Sequence, residues 1–186
     1  MDQDRRQFLR NSGIVLSIAV AGEVLLLSPA QARAAGLPFQ LLSAQEASTL
    51  EAIAEAVVPG ARKAGISQYI DKQLAASDDD ALLMLKYLGV AQSDYLSFYQ
   101  GGLASAAALA QSRFAKGWPE LESSEVDALV AEIAGNEQPG GWAGPPAAFF
   151  FFVIRSDASD VVYGTEEGFA AIGMPYMAHI APPEPW

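Results

Sequence analysis

Ser43-Ala44-Gln45-Glu46-Ala47-Ser48-Thr49-Leu50-Glu51-Ala52-Ile53-Ala54-Glu55-Ala56-Val57-Val58-Pro59-Gly60 spells out a complete helix. Ser43 and Glu46, three residues apart, form a capping box that satisfies the first free backbone N–H groups. Leu50, Ile53 and Val57 recur at helical spacing, and Pro59-Gly60 stops the pattern. The spacing predicts a helix over Ala44–Val58 with one apolar stripe, which needs other elements to cover it.

The segments downstream supply those elements. Ile66, Ile70 and Leu74 share a stripe with Tyr69 beside it, and Asp71 and Lys72 read as facing away, which predicts a second, short helix. Ser77-Asp78-Asp79-Asp80 breaks it. These aspartates lack the alternating spacing and closing Glu of a calcium loop, so they read as acidic residues at the start of a helix carrying Leu82, Leu83, Leu85 and Leu88. Ser93 opens another helix with Tyr95, Phe98 and Tyr99 on its first turns and an alanine-rich continuation from Ala104 to Ala110, its middle weakened by Gly101-Gly102. Trp118-Pro119 closes that unit. Ser124-x-x-Asp127 opens the next, with Val126, Leu129, Val130 and Ile133 apolar and Gly135-Asn136 as its end.

Pro145-Pro146 suits a helix start, and Phe149 to Ile154 is apolar at six successive positions. A helix apolar on every side must be covered on every side, by its own core or by another protein. From Asp160 to Trp186 the periodicity fades among Gly164, Gly168, Gly173, Pro175, Pro182, Pro183 and Pro185, interleaved with Tyr163, Phe169, Tyr176 and Trp186. That stretch reads as an irregular tail ordered by packing its aromatic rings. The fold class is therefore all-α: a compact single-domain bundle of about five to six helices with an irregular Gly/Pro/aromatic C-terminal tail.

Upstream of Ser43 the chain reads differently. Asp4-Arg5-Arg6-Gln7-Phe8-Leu9-Arg10 runs directly into an apolar segment from Gly13 to Leu27. Paired arginines followed by Phe8-Leu9, an apolar stretch and a small-residue exit are the pattern of a twin-arginine export signal; an ordinary secretory signal with a chance Arg pair is the competing reading. About fifteen residues at ~1.5 Å each reach roughly 22 Å, short of a hydrocarbon core about 30 Å thick. Glu23 within the segment further disfavours a membrane anchor. Two exits fit the small-x-small rule, Ala30-Gln31-Ala32 and Ala32-Arg33-Ala34. The expected division is a signal over residues 1–34 and a helical domain over 35–186, with a processing region reaching Leu42.

Removing residues 1–32 leaves about 154 residues, enough for one domain with a core. Arg5, Arg6 and Arg10 balance Asp2, Asp4 and Glu23, so the remainder carries the whole formal charge of −11. An acidic surface of this kind argues against nucleic-acid partners and anionic lipid docking. The chain has no cysteine, which excludes thiolate-held iron–sulfur clusters, covalent c-type haem and cysteine nucleophiles. His179 is the lone histidine, and no His/Asp/Glu cluster, glycine-rich phosphate loop or H-E-x-x-H motif accompanies it. No catalytic, cofactor-binding or metal-binding residue is assigned, and the chain reads as a non-enzyme whose export address serves a folded partner.

The chain resembles the gluconate 2-dehydrogenase subunit 3 family, the small subunits of membrane-bound flavin-dependent sugar and polyol dehydrogenases. The resemblance is carried by Arg5-Arg6-Gln7-Phe8-Leu9, by Val57-Val58-Pro59-Gly60-Ala61 with Ala64-Gly65-Ile66 and Tyr69-Ile70-Asp71, and by Tyr163-Gly164, Gly168-Phe169, Ile172-Gly173 and Pro175. It implies a subunit without its own cofactor that accompanies a large FAD-dependent catalytic subunit of the glucose-methanol-choline type through the twin-arginine translocase. A multihaem cytochrome c commonly completes such complexes. The implied location is the periplasm, at the inner membrane through the complex. The resemblance gives Phe149, Phe150, Phe152, Tyr163, Phe169, Tyr176 and Trp186 a candidate partner to face, and Arg5, Arg6, Phe8 and Leu9 a role as the export address. An alternative from the residues alone is a stand-alone exported helical module that holds a small apolar ligand, which would need a cavity at Phe149–Ile154.

Overall fold

The computed structural model describes residues 16–20, 23–77, 79–135 and 138–174. Ahead of the helices, strands β1 (Leu16–Val20) and β2 (Glu23–Leu27) pair antiparallel, with Leu16 opposite Leu27 and Val20 opposite Glu23. The rest of the described chain is helical, in agreement with the expected all-α class. In chain order the helices are α1 (Pro29–Ala34), α2 (Ala44–Val57), α3 (Ala61–Ala64), α4 (Ile66–Leu74), α5 (Met84–Tyr87), α6 (Tyr95–Phe114), α7 (Ser123–Gly135), α8 (Ala147–Tyr163) and α9 (Glu166–Ala171).

Helix α2 begins as its sequence requires. The Ser43 hydroxyl accepts the Glu46 N–H at 3.2 Å, and the Glu46 carboxylate accepts the Ser43 N–H at 2.7 Å. Helix α7 starts one residue before the expected cap, and its N-terminal N–H groups are served by Glu125, whose carboxylate accepts the Glu122 N–H at 2.8 Å. Glu125 also holds Lys116 at 2.8 Å, which fastens the turn before α7 to its first turn.

Helix α8 is the axis of the domain, packing against α2, α3, α4, α5, α6, α7 and α9. Phe150, Val153 and Ile154 in its apolar N-terminal half and Ala158 and Val161 further along are all buried against these neighbours. The Phe150 ring lies 6.0 Å from Phe98 and 5.8 Å from Trp142, and Phe149 meets Phe98 edge-on at 5.4 Å. Gly102 of α6 makes this approach possible. A Cβ there would stand 2.2 Å from the Phe150 ring, so Gly102, a weak point for the helix by propensity, is where α8 crosses α6.

Several expectations give way. Asp71 does not face solvent; it is 5 % exposed, and its carboxylate accepts the N–H groups of Gln40, Leu41 and Leu42, each at 2.8 Å. The backbone of the segment entering α2 needs these acceptors because no helix or sheet supplies them. The leucines after Asp80 form only the single turn α5, since Leu83 is drawn into the core in an extended conformation. The stretch from Asp160 is less irregular than its glycines suggest: α8 continues to Tyr163, and α9 follows, with the Thr165 hydroxyl accepting the Gly168 N–H at 3.0 Å. Within the stretch reaching Leu42, helix α1 forms at Pro29–Ala34, with Ala32 and Leu42 buried.

Replacing Gly102 by Ala should destabilise the domain by about 1–3 kcal/mol in chemical denaturation, because overpacking against Phe150 outweighs the roughly 1 kcal/mol of helix propensity gained. An unchanged or raised midpoint would show that α6 and α8 do not cross in contact.

Candidate functional site: the outer face of helix α8

Helix α8 has two faces with different fates. On the inner side lies a polar node that composition gave no hint of. Asp157 is fully buried; one carboxylate oxygen accepts the Met84 N–H at 2.8 Å, and the other accepts a short hydrogen bond from the Tyr99 hydroxyl. The Tyr69 hydroxyl donates to the Leu82 carbonyl at 3.3 Å, and Gln73 accepts the Leu82 N–H at 2.7 Å. Side chains of α4 and α8 thus satisfy the extended backbone around Leu82–Met84 and fix α5 beside α8.

Burial sets the electrostatics of this node. It pushes the Asp157 carboxyl up to about 7, against the opposing pull of the Tyr99 and Met84 hydrogen bonds, with Asp160 adding to the rise. Burial also raises Asp160 and holds the phenols of Tyr69 and Tyr99 well above their ordinary range, and the nearby Asp157 carboxylate pushes both phenols further up. Such groups are poor proton donors to anything outside the core, and they serve to position backbone.

The outer side of α8 is a stripe of Phe152, Ser156, Ser159 and Tyr163, which fall within about 60° of one another at 100° per residue. Phe152 is 36 % and Tyr163 39 % exposed. The Ser156 and Ser159 hydroxyls turn back onto the helix, donating to the Phe152 and Arg155 carbonyls at 2.9 and 2.8 Å. The stripe therefore presents small, internally satisfied side chains between two aromatic ones. The Arg155 guanidinium lies 5.6 Å from the Phe152 ring centre and 5.8 Å from that of Phe151. Tyr87 and Leu88 of the α5 region, 68 % and 43 % exposed, add apolar surface on an element that packs against α8 and is tied to it by the Met84–Asp157 bond.

The structure divides the expected interface residues. Phe150 is 0 % exposed and Phe149 half-buried, so the first belongs to the core and cannot be offered to a partner. Phe152 and Tyr163 share the outer stripe, and Phe169 is half-buried on α9, which packs on α8. Tyr176, Trp186 and His179 lie outside the described residues, as do Arg5, Arg6, Phe8 and Leu9. Tyr87 was not singled out from sequence, and Leu88 was read only as an apolar position of the helix after Asp80, although a one-turn helix and its cap have too little core to bury them. Among the described residues no group of three or more His, Asp or Glu side chains is placed to hold a metal ion, and no helix is long and apolar enough to cross a membrane. An open groove between α2 and α6 at the Trp118 turn is lined partly by Gln45, Ser48, Thr49, Gln111 and Lys116, away from the Phe149–Ile154 run.

Among the described residues these features define a helical domain with an aromatic core and a weakly polar face on α8 that no other described element covers. A family model described as gluconate 2-dehydrogenase subunit 3 matches residues 44–179. The chain belongs to that family, and is by its family a subunit of a multisubunit dehydrogenase complex. No curated protein and no solved structure is significantly similar to it.

Because Asp157 is raised in the folded state, the native protein holds this proton more tightly than the unfolded chain does. Below about pH 4 both states are protonated; between about 4 and about 7 only the unfolded chain ionises, so stability should fall as pH rises through that window and level off above it. Equilibrium unfolding of wild type and Asp157→Asn across this range checks the sign, with the decline expected to shrink in the variant to the part that the raised Asp160 contributes.

Proposed function

We propose that this chain is the non-catalytic small subunit of a periplasmic FAD-dependent sugar or alcohol dehydrogenase complex of the glucose-methanol-choline type. It binds the folded catalytic subunit, stabilises it, and supplies the twin-arginine address Arg5-Arg6 with Phe8-Leu9 that carries both across the membrane. Family membership over residues 44–179 is the observation that carries this reading. The absence of cysteine from a chain with this export pattern supports it, because thiolate-held clusters and covalent c-type haem are then not the cargo that requires folding before export. The flavin belongs to the partner. A multihaem cytochrome c completes the complex at the inner membrane.

The outer stripe of α8 is the face we assign to the catalytic subunit. Two half-exposed aromatic residues three turns apart, with internally bonded serines between them, offer contact area at little desolvation cost. Binding only the folded partner stabilises it by mass action, so the small subunit raises the yield of active enzyme without touching its active site.

Capture of the C-terminally tagged chain from its own host should bring down one large yellow flavoprotein, and deletion of the chain should abolish exported dehydrogenase activity. A colourless lone chain, or full activity and normal export in the deletion strain, would overturn the reading. Phe152→Glu with Tyr163→Glu should weaken capture by roughly tenfold to a hundredfold while leaving the circular dichroism spectrum unchanged, as expected for central aromatic contacts.

A further inference from the structure

The small-x-small exits after Ala32 and after Ala34 lie inside or at the end of helix α1, and that helix is built into the folded domain. Its start is fixed by a second capping box: the Ser28 hydroxyl accepts the Gln31 N–H at 3.2 Å, and the Gln31 side chain accepts the Ser28 N–H at 2.8 Å. Its end is closed by Gly36 in the left-handed region, with the Leu37 N–H returning to the Ala32 carbonyl at 3.2 Å. Ala32 is 0 % exposed.

Two contacts seat α1 on the body. The Arg33 guanidinium bonds both oxygens of Glu51 on α2, at 3.3 and 3.1 Å, and Glu51 also accepts the Ser67 hydroxyl at 2.6 Å. The Pro29 carbonyl presses on Gly65, where a Cβ would stand 2.2 Å away and φ is +84°. Beyond α1, Asp71 ties down Gln40, Leu41 and Leu42. A peptidase that reads small residues at the −1 and −3 positions needs them extended in its cleft. Here that requires unwinding α1 and withdrawing Ala32 from the core.

We infer that this chain keeps its N-terminal segment after export: the Ala32–Arg33 and Ala34–Ala35 bonds are withheld from signal peptidase because α1 is a docked part of the fold. The inference rests on the proposed export of the folded chain, since only a domain folded before it meets the peptidase presents α1 already seated. The subunit then carries Arg5, Arg6 and Arg10 permanently in its assembled form.

Intact-mass and N-terminal sequence analysis of the chain in the exported fraction of its own host tests this, with Arg5→Lys/Arg6→Lys as the export control. The expected result is the full-length chain outside, and its loss from that fraction in the control. A chain beginning at Arg33 or Ala35 overturns retention while export stands. Gly65→Val, which displaces Pro29, should yield the shortened chain; Glu51→Gln should do so partially with less risk to folding. If the wild-type chain is found only inside, the export reading fails, and trypsin then decides the docking on purified full-length protein. The Arg33–Ala34 bond should be cut only as fast as the domain opens, and roughly tenfold faster in Glu51→Gln. Cleavage there as rapid as in the urea-unfolded chain overturns the seating of α1.

Discussion

The buried Asp157 carboxylate, reaching from α8 to the Met84 amide and the Tyr99 hydroxyl, is the contact on which the packing of the domain turns. It joins residues 73 positions apart in the chain and lets an extended backbone run through the core. Two other buried polar side chains do comparable work: Gln73 for Leu82, and Asp71 for Gln40, Leu41 and Leu42. Each serves backbone amides that neither helix nor sheet can satisfy, and leaving such groups unpaired would cost on the order of 1–3 kcal/mol apiece. Where the helices end, the fold depends on these acceptors.

This arrangement determines what α8 can offer. Its inner side is committed to Phe98, Trp142, Gly102 and the Asp157 node, so Phe150, Val153 and Ile154 are spent on the core. The outer stripe is left with Phe152, Ser156, Ser159 and Tyr163, and the same node holds the turn carrying Tyr87 and Leu88 against α8. A partner that binds this face meets a helix held rigid from behind. Rigidity lowers the ordering cost of association, which an exposed loop of the same composition would pay in full.

Much of this was legible from the residues. The capping box at Ser43 and Glu46, the stop at Pro59-Gly60 and the apolar run at Phe149–Ile154 each determine local structure through neighbours a few residues away, and the helices stand where those neighbours put them. Asp71 and Asp157 were illegible for the opposite reason: an aspartate among apolar residues reads as a solvent-facing position unless its acceptors' partners, some 30 to 73 residues distant, are known. The outer stripe was half visible, since Phe152 and Tyr163 were singled out while the serines between them carry no signal until their hydroxyls are seen turned inward. One feature could have been read and was not. Ser28-Pro29-Ala30-Gln31 is a capping box with proline at the first helical position, the same grammar as Ser43 to Glu46, masked by its place at the exit of an export signal.

That overlap would have a mechanical meaning under the proposed role of carrying another protein. An address held by a loose tether would leave the carrier's binding face and its signal free to move independently, and the folded cargo would be located only by linker length. Here the chain leaving the signal region enters α1, α1 packs on α3 and α4, and both of these pack on α8. The ion pair of Arg33 with Glu51 and the carboxylate of Asp71 brace the two ends of the entry segment against the domain. A continuous path of packed helices therefore links the end of the proposed signal to the face proposed for the partner, so the same packing that hides Ala32 would join the proposed address to its cargo.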